Sequence, residues 1–146
     1  MISLFFKLRN LINLNKFYIK PFRFILYIIY RFIMWFYGSS IPLNTKFEDI
    51  PKFPHGLYGI FISGDAIIHK NVTIYHQVTI GSITSDGSKY KGAPEIFENV
   101  TIGAGAKVIG GISVYKNSKI GANCVVVDNI EENRTVVMNK PRVVIK

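Results

Sequence analysis

The sequence predicts a mainly β fold over residues 39–146, a triangular coil of short parallel strands, preceded over residues 1–38 by an amphipathic helical segment. Three observations point there. From Ile60 the chain divides into hexads whose third residue is always β-branched and aliphatic: Ile62, Ile68, Ile74, Ile80, Ile96, Ile102, Val108, Val114, Ile120 and Val126. The residue four places further on is small or β-branched, as at Ala66, Val72, Val78, Val100, Ala106, Ile112, Ser118 and Cys124. Before Gly38 neither pattern exists, and much of the net charge of +9 is gathered there.

The N-terminal segment carries Lys7, Arg9, Lys16, Lys20, Arg23 and Arg31 and no acidic residue. From Phe22 to Tyr37 the run FRFILYIIYRFIMWFY is almost wholly aromatic or aliphatic, but Arg31 interrupts it. It falls short of the ~20 apolar residues of a spanning helix. At 100° per residue Arg23, Tyr27, Tyr30 and Arg31 share one stripe, and apolar side chains fill the remaining circumference. This is the pattern of a helix lying in a membrane interface, with cations at anionic headgroups and aromatic rings at the boundary. Packing against partner subunits is the competing reading. Charges recur throughout and no small-residue cleavage site follows, which argues against a secretory leader. Because the basicity belongs to this segment, a nucleic-acid partner is not expected. The expected location is cytoplasmic, peripheral to the inner face of the cell membrane. Gly38, Ser39 and Ser40 close the segment. A single cysteine fits a reducing compartment and excludes both an intrachain disulfide and a site of two thiolates on one metal.

A six-residue period is too long for a helical turn and too short for a βα unit; a short strand followed by a corner satisfies it. Three such sides close a coil of about 18 residues, and coils stacked at ~4.8 Å line their interior with the aliphatic ladder. Upstream, Ile41–Lys46, Phe47–Lys52 and Phe53–Gly59 read as looser hexads, the last with one extra residue. Residues 84–93 interrupt the register as a loop, and residues 131–146 read as a C-terminal tail. So narrow a prism has little interior, and lateral association is expected. Cys124 stands where other coils place Ala or Ser, which makes it a small core residue.

Imidazole is the side chain suited to general-base work near neutral pH. The candidates are His55, His69 and His76. His69 directly follows ladder residue Ile68, so it should point outward into solvent. His76 lies at the corner after Ile74. One coil of about 18 residues plus the extra residue, counted from His55, lands on Ile74. His55 and His76 therefore belong to related corners of adjacent coils. Ala104 and Ala122, each in an Ile-Gly-Ala turn, stack on one corner.

The stretches His55-Gly-Leu-Tyr-Gly-Ile-Phe-Ile, Asn71 to Gly81, Asn99 to Gly110 and Met138 to Arg142 resemble the hexapeptide-repeat acyltransferases, specifically their serine O-acetyltransferase-like and polysaccharide O-acetyltransferase branch. The resemblance implies a left-handed parallel β-helix, a homotrimer with sites between neighbouring prisms, acetyl-CoA as donor and no metal. It makes His55 the catalytic base, with His76 as a second site residue or the base itself. It places Gly81 and Ser82 beside the thioester, Ala104, Gly105 and Ala122 along the cofactor, Lys140 and Arg142 at its phosphates, and the loop 84–93 nearby. Where the serine enzymes carry two Asp residues and an Arg-His pair, this chain has Pro54, Ser40 and Gly92-Ala93. A free amino acid needs partners for its carboxylate and ammonium groups. These departures favour a carbohydrate acceptor, on a surface glycan such as capsule or O-antigen or a lipid-linked precursor, over serine. Glu48 and Asp49 are candidates to orient the histidine. A zinc hydratase built on the three histidines and a non-catalytic scaffold are the readings from other classes.

Overall fold

The computed structural model describes residues 2–14 and 21–139. Two helices, α1 (Ile2–Asn13) and α2 (Arg23–Phe36), precede a left-handed parallel β-helix. Its first face is built from β1 (Lys46–Phe47), β3 (Ile67–Ile68), β6 (Glu95–Ile96) and β9 (Ser113–Val114). The second comprises β4 (Thr73–Ile74), β7 (Thr101–Ile102), β10 (Lys119–Ile120) and β12 (Thr135–Val136). The third comprises β2 (Phe61–Ile62), β5 (Thr79–Gly81), β8 (Lys107–Ile109) and β11 (Val125–Val126). Strands stay this short because a corner recurs every six residues. The ladder from Ile62 to Val126 is at most 4% exposed, and the small or β-branched residues between the rungs are buried with it. Cys124 is among them, its Sγ 3.7 Å from the Val136 carbonyl.

An asparagine column shows how the corners are made. Asn71, Asn99, Asn117 and Asn133 all adopt positive φ, between 56° and 61°. Asn tolerates this left-handed conformation better than other side chains except Gly. Each amide nitrogen donates to the next Asn carbonyl oxygen, at 2.7, 3.1 and 3.1 Å. The spacings along the column, 28, 18 and 16 residues, measure the coils. The longest contains the loop, whose neck closes with an antiparallel bridge between Ile83 and Gly92. Gly110 and Gly111 make room for it: a Cβ on either would stand 2.8 Å from the Tyr90 carbonyl or 2.6 Å from that of Lys91. The shortest carries the coil through Asn133 and β12, into the stretch that reads as a tail.

The first coil is longer than the looser hexads suggest: equivalent positions are 21 residues apart. Both helices pack on this end. Phe6 meets Phe47 edge-on and stacks on Phe53, while Phe5 stacks on Tyr30. Burying a large apolar side chain contributes roughly 1.5–3 kcal/mol, enough to hold a short helix that would not survive alone in water. Arg9 donates to the carbonyls of Leu43 and Thr45, with its guanidinium 4.9 Å from the Phe47 ring centre. It thus pins α1 to the coil rather than facing solvent. The Tyr30 hydroxyl donates to the Ile41 carbonyl, and burial pushes its pKa up to about 12. The polar stripe read from the sequence is split accordingly: Tyr30 faces the coil, while Arg23, Tyr27 and Arg31 are exposed.

Candidate active site

One edge of the prism, where the second face turns into the third, gathers most of the candidate residues. Successive turns there are tied by backbone bonds: Gln77 donates to Tyr58 at 2.8 Å, Gly105 to His76 at 3.0 Å and Asn123 to Ala104 at 2.8 Å. Tyr58, His76, Ala104 and Ala122 consequently occupy equivalent places on four consecutive coils, and His55, three residues before Tyr58, reaches the same corner through its side chain. From sequence, the histidines formed one pair of related corners and the alanines another. The structure brings them to a single edge.

The His55 and His76 Nδ1 atoms are 2.8 Å apart, and the His55 ring meets Tyr75 edge-on. Two ring nitrogens at that distance share one proton, because a hydrogen bond needs one N–H and one lone pair. In the neutral pair the tautomers are therefore opposite. The ring that donates through Nδ1 keeps a bare lone pair on Nε2, and the ring that accepts carries its proton on Nε2. Neither Nε2 has a hydrogen-bond partner among the described residues. The corner thus offers one base and one donor side by side.

The carboxylates expected to orient the base lie elsewhere. Glu48 accepts from His69 at 3.0 Å and from Lys70 at 2.9 Å, while Asp49 Oδ1 accepts from the Ile50 backbone N–H. The partner of His55 is His76, and counting from sequence missed the contact because the first coil is 21 residues long. His69 points outward as expected but is not simply solvated. Its second nitrogen lies 2.8 Å from Glu95, and its ring stacks on Phe97. The Glu95 hydrogen bond outweighs burial and raises its pKa. Since His69 follows β3 on the first face, the three histidines do not converge on one metal.

Further along the column the backbone N–H groups of Ala104 and Ala122 have no acceptor among the described residues. Between them the coils are in close contact. A Cβ on Gly103 would lie 2.7 Å from the Ala122 nitrogen, and one on Gly105 would lie 2.2 Å from Asn123 Oδ1. Gly103 is therefore demanded by stacking itself and Gly105 by its left-handed φ of 69°, which leaves two methyl groups and two free amides on the edge. This is a surface suited to a slender ligand arm carrying amide carbonyls. Gly81 and Ser82 lie at the other end of β5 from His76 and do not join the column. Lys140 and Arg142 lie outside the described residues.

No family model matches the chain. It is 43% identical over 75 residues to a serine acetyltransferase of Staphylococcus aureus, a match covering 51% of this chain and 34% of that protein. Among solved structures, serine acetyltransferase isoform 3 of Entamoeba histolytica, in complex with cysteine, superposes with a TM-score of 0.67 at 33% identity, over 78% of this chain and 40% of that one. The Brucella abortus enzyme in complex with coenzyme A gives a TM-score of 0.70 at 28% identity, over 86% and 49%. The chain thus spans between a third and a half of the length of these relatives. The stacked hexads, and the likeness to serine acetyltransferases, support the hexapeptide-repeat acyltransferase family for this chain.

Proposed function

We propose that the protein is an acetyl-CoA-dependent O-acetyltransferase in which His55 is the base and His76 fixes its tautomer. The observation that carries this is the Nδ1-to-Nδ1 contact at the head of a column of free amides. His55 donates Nδ1–H to His76, so His55 Nε2 receives the acceptor hydroxyl proton as the oxygen attacks the thioester carbonyl. The imidazolium formed keeps its bond to the His76 lone pair. His76 Nε2–H is placed to donate to the developing oxyanion. Collapse of the tetrahedral intermediate breaks the carbon–sulfur bond, and the thiolate takes the proton back from His55. Ala104, Gly105 and Ala122 would line the pantetheine arm, with Lys140 and Arg142 toward the phosphates. Gly81 and Ser82, at the far end of β5, would reach a thioester at the histidine pair from a neighbouring prism. That reading calls for a homotrimer, with loop 84–93 beside the shared site.

Serine is the first acceptor to test, because the relatives matched are serine acetyltransferases. They favour it over the glycan expected from sequence. A carbohydrate hydroxyl remains the second reading for a specific reason: Pro54, Ser40, Gly92 and Ala93 supply no charged side chain to hold an amino acid. Free CoA release should be followed with L-serine and with a panel of activated sugars and polysaccharides. A higher kcat/KM for serine selects the first reading, and a higher value for a sugar selects the second. No release with any hydroxyl rejects acetyl transfer altogether.

A further inference from the structure

The outer side of α2 has no counterpart in the catalytic proposal. Phe24, Ile25, Ile28, Phe32, Trp35 and Phe36 are 50–74% exposed, while Tyr30 and Met34 on the opposite side are buried. At 100° per residue these six fall within an arc of about 120°, bordered on one side by Arg31 and Tyr27. An apolar cavity of about 410 Å³ opens between α1 and α2 and continues this surface, since Phe32 and Phe36 line it together with Leu4 and Leu8.

We infer that this face docks on a lipid bilayer bearing anionic headgroups, lying in the interface with its aromatic arc inserted. Charge selects this occupant. With Arg9 used inside the fold, Lys7, Arg23 and Arg31 remain exposed, and residues 1–37 contain no carboxylate. A second copy of the same segment would bring cations against cations, whereas anionic headgroups neutralise each of them at a gain of about 1 kcal/mol. Length sets the orientation. The 14 residues of α2 reach about 21 Å, short of the ~30 Å hydrocarbon core, and no described helix is long and apolar enough to cross a membrane. The inference is independent of the acetyl-transfer reading.

Trp35 is the chain's single tryptophan and sits within the arc, 74% exposed, so its fluorescence reports on this face in the unmodified full chain. Adding vesicles containing phosphatidylglycerol should move its emission to shorter wavelength and make it quenchable by lipids brominated on the acyl chain. Pure phosphatidylcholine vesicles should bind at least tenfold more weakly, and rising salt should weaken binding to the anionic vesicles without abolishing it. Phe32→Glu should lower vesicle affinity at least tenfold while leaving the far-ultraviolet circular dichroism unchanged. Emission that does not respond to vesicles would overturn the proposal. So would emission that is already short-wavelength and shielded from aqueous iodide without lipid, because another protein surface would then cover α2.

Discussion

The same 21-residue first coil sets two imidazoles against the coil before them, with different chemical results. On the first face His69 lies between Glu48 and Glu95, both ring nitrogens are engaged, and the protonated form is favoured. At the corner His55 and His76 engage one nitrogen each, on one another. What differs is what remains free. An imidazole with two carboxylate partners has no lone pair to offer and acts as a clamp across coils. Two imidazoles that satisfy each other leave one lone pair and one N–H pointing out. Stacking geometry brings histidines into register in both places, and the neighbour's chemistry decides which can move a proton.

The sharpest way to break this comparison is to remove the base. His55→Ala should lower kcat by about 10²–10⁴-fold, the range for a general base, with KM for acetyl-CoA little changed. His69→Ala should leave kcat/KM within a few fold. Equal losses for the two variants would mean that the free lone pair is not what separates the regions.

A smaller effect assigns the roles within the pair. The Asn side-chain oxygen reaches about as far as imidazole Nδ1, so His76→Asn can still accept from His55 Nδ1–H while losing the Nε2 donor. It should cost about 10²-fold in kcat, the lower end for one lost oxyanion donor, against about 10³-fold for His76→Ala, which also frees the His55 tautomer. The positioning role has its own readout. The ¹⁵N shifts of the His55 ring should report Nδ1–H in the wild type and in His76→Asn, and a mixture of tautomers in His76→Ala. If His76→Asn is inactive and His55→Asn retains turnover, His76 is the base and the assignment reverses.

Much of this arrangement is legible in the sequence, and the reason is physical. A ladder confined to one column of side chains must repeat, so Ile62 through Val126 announce the interior and the two alanines announce a shared corner. The corner that joins the histidine pair to Ala104 and Ala122 is hidden by two irregular coils. One carries the loop, and the other contains Phe53, Pro54 and the turn at Gly56, where φ is +74° and the looser hexads fall short of the observed 21 residues. The clamp at His69 is hidden for the same reason, since Glu48 meets it only across the long coil. Alternation correctly sends His69 outward, but it carries no information about which side chains wait there. The helix faces fail differently. A 100° projection separates polar from apolar positions, yet Tyr30 and Arg9 use polar ends to bond backbone carbonyls while burying their stems, so the polar side does not identify the solvent side.

The clamp itself yields the smallest expected effect and a test of its sign. His69 has a raised pKa, chiefly through its hydrogen bond to Glu95, so its contribution is complete below the ordinary value of 6.5 and is lost as pH rises through the raised one. Glu48 has a lowered pKa, chiefly through Lys70 and then His69. Its contribution is complete above 4.5 and is lost as pH falls through the lowered value. Both are fully present only between about pH 4.5 and 6.5. Partly exposed ion pairs contribute little, so His69→Gln should lower Tm by about 2 °C near pH 5.5. The difference should shrink toward zero as pH rises through the raised value, because the wild-type imidazole is then neutral as well. Paired thermal melts across this range decide the matter. A Tm difference that stays constant with pH would mean that His69 holds the coils by stacking on Phe97 rather than by charge, and the contrast with the corner would then rest on packing alone.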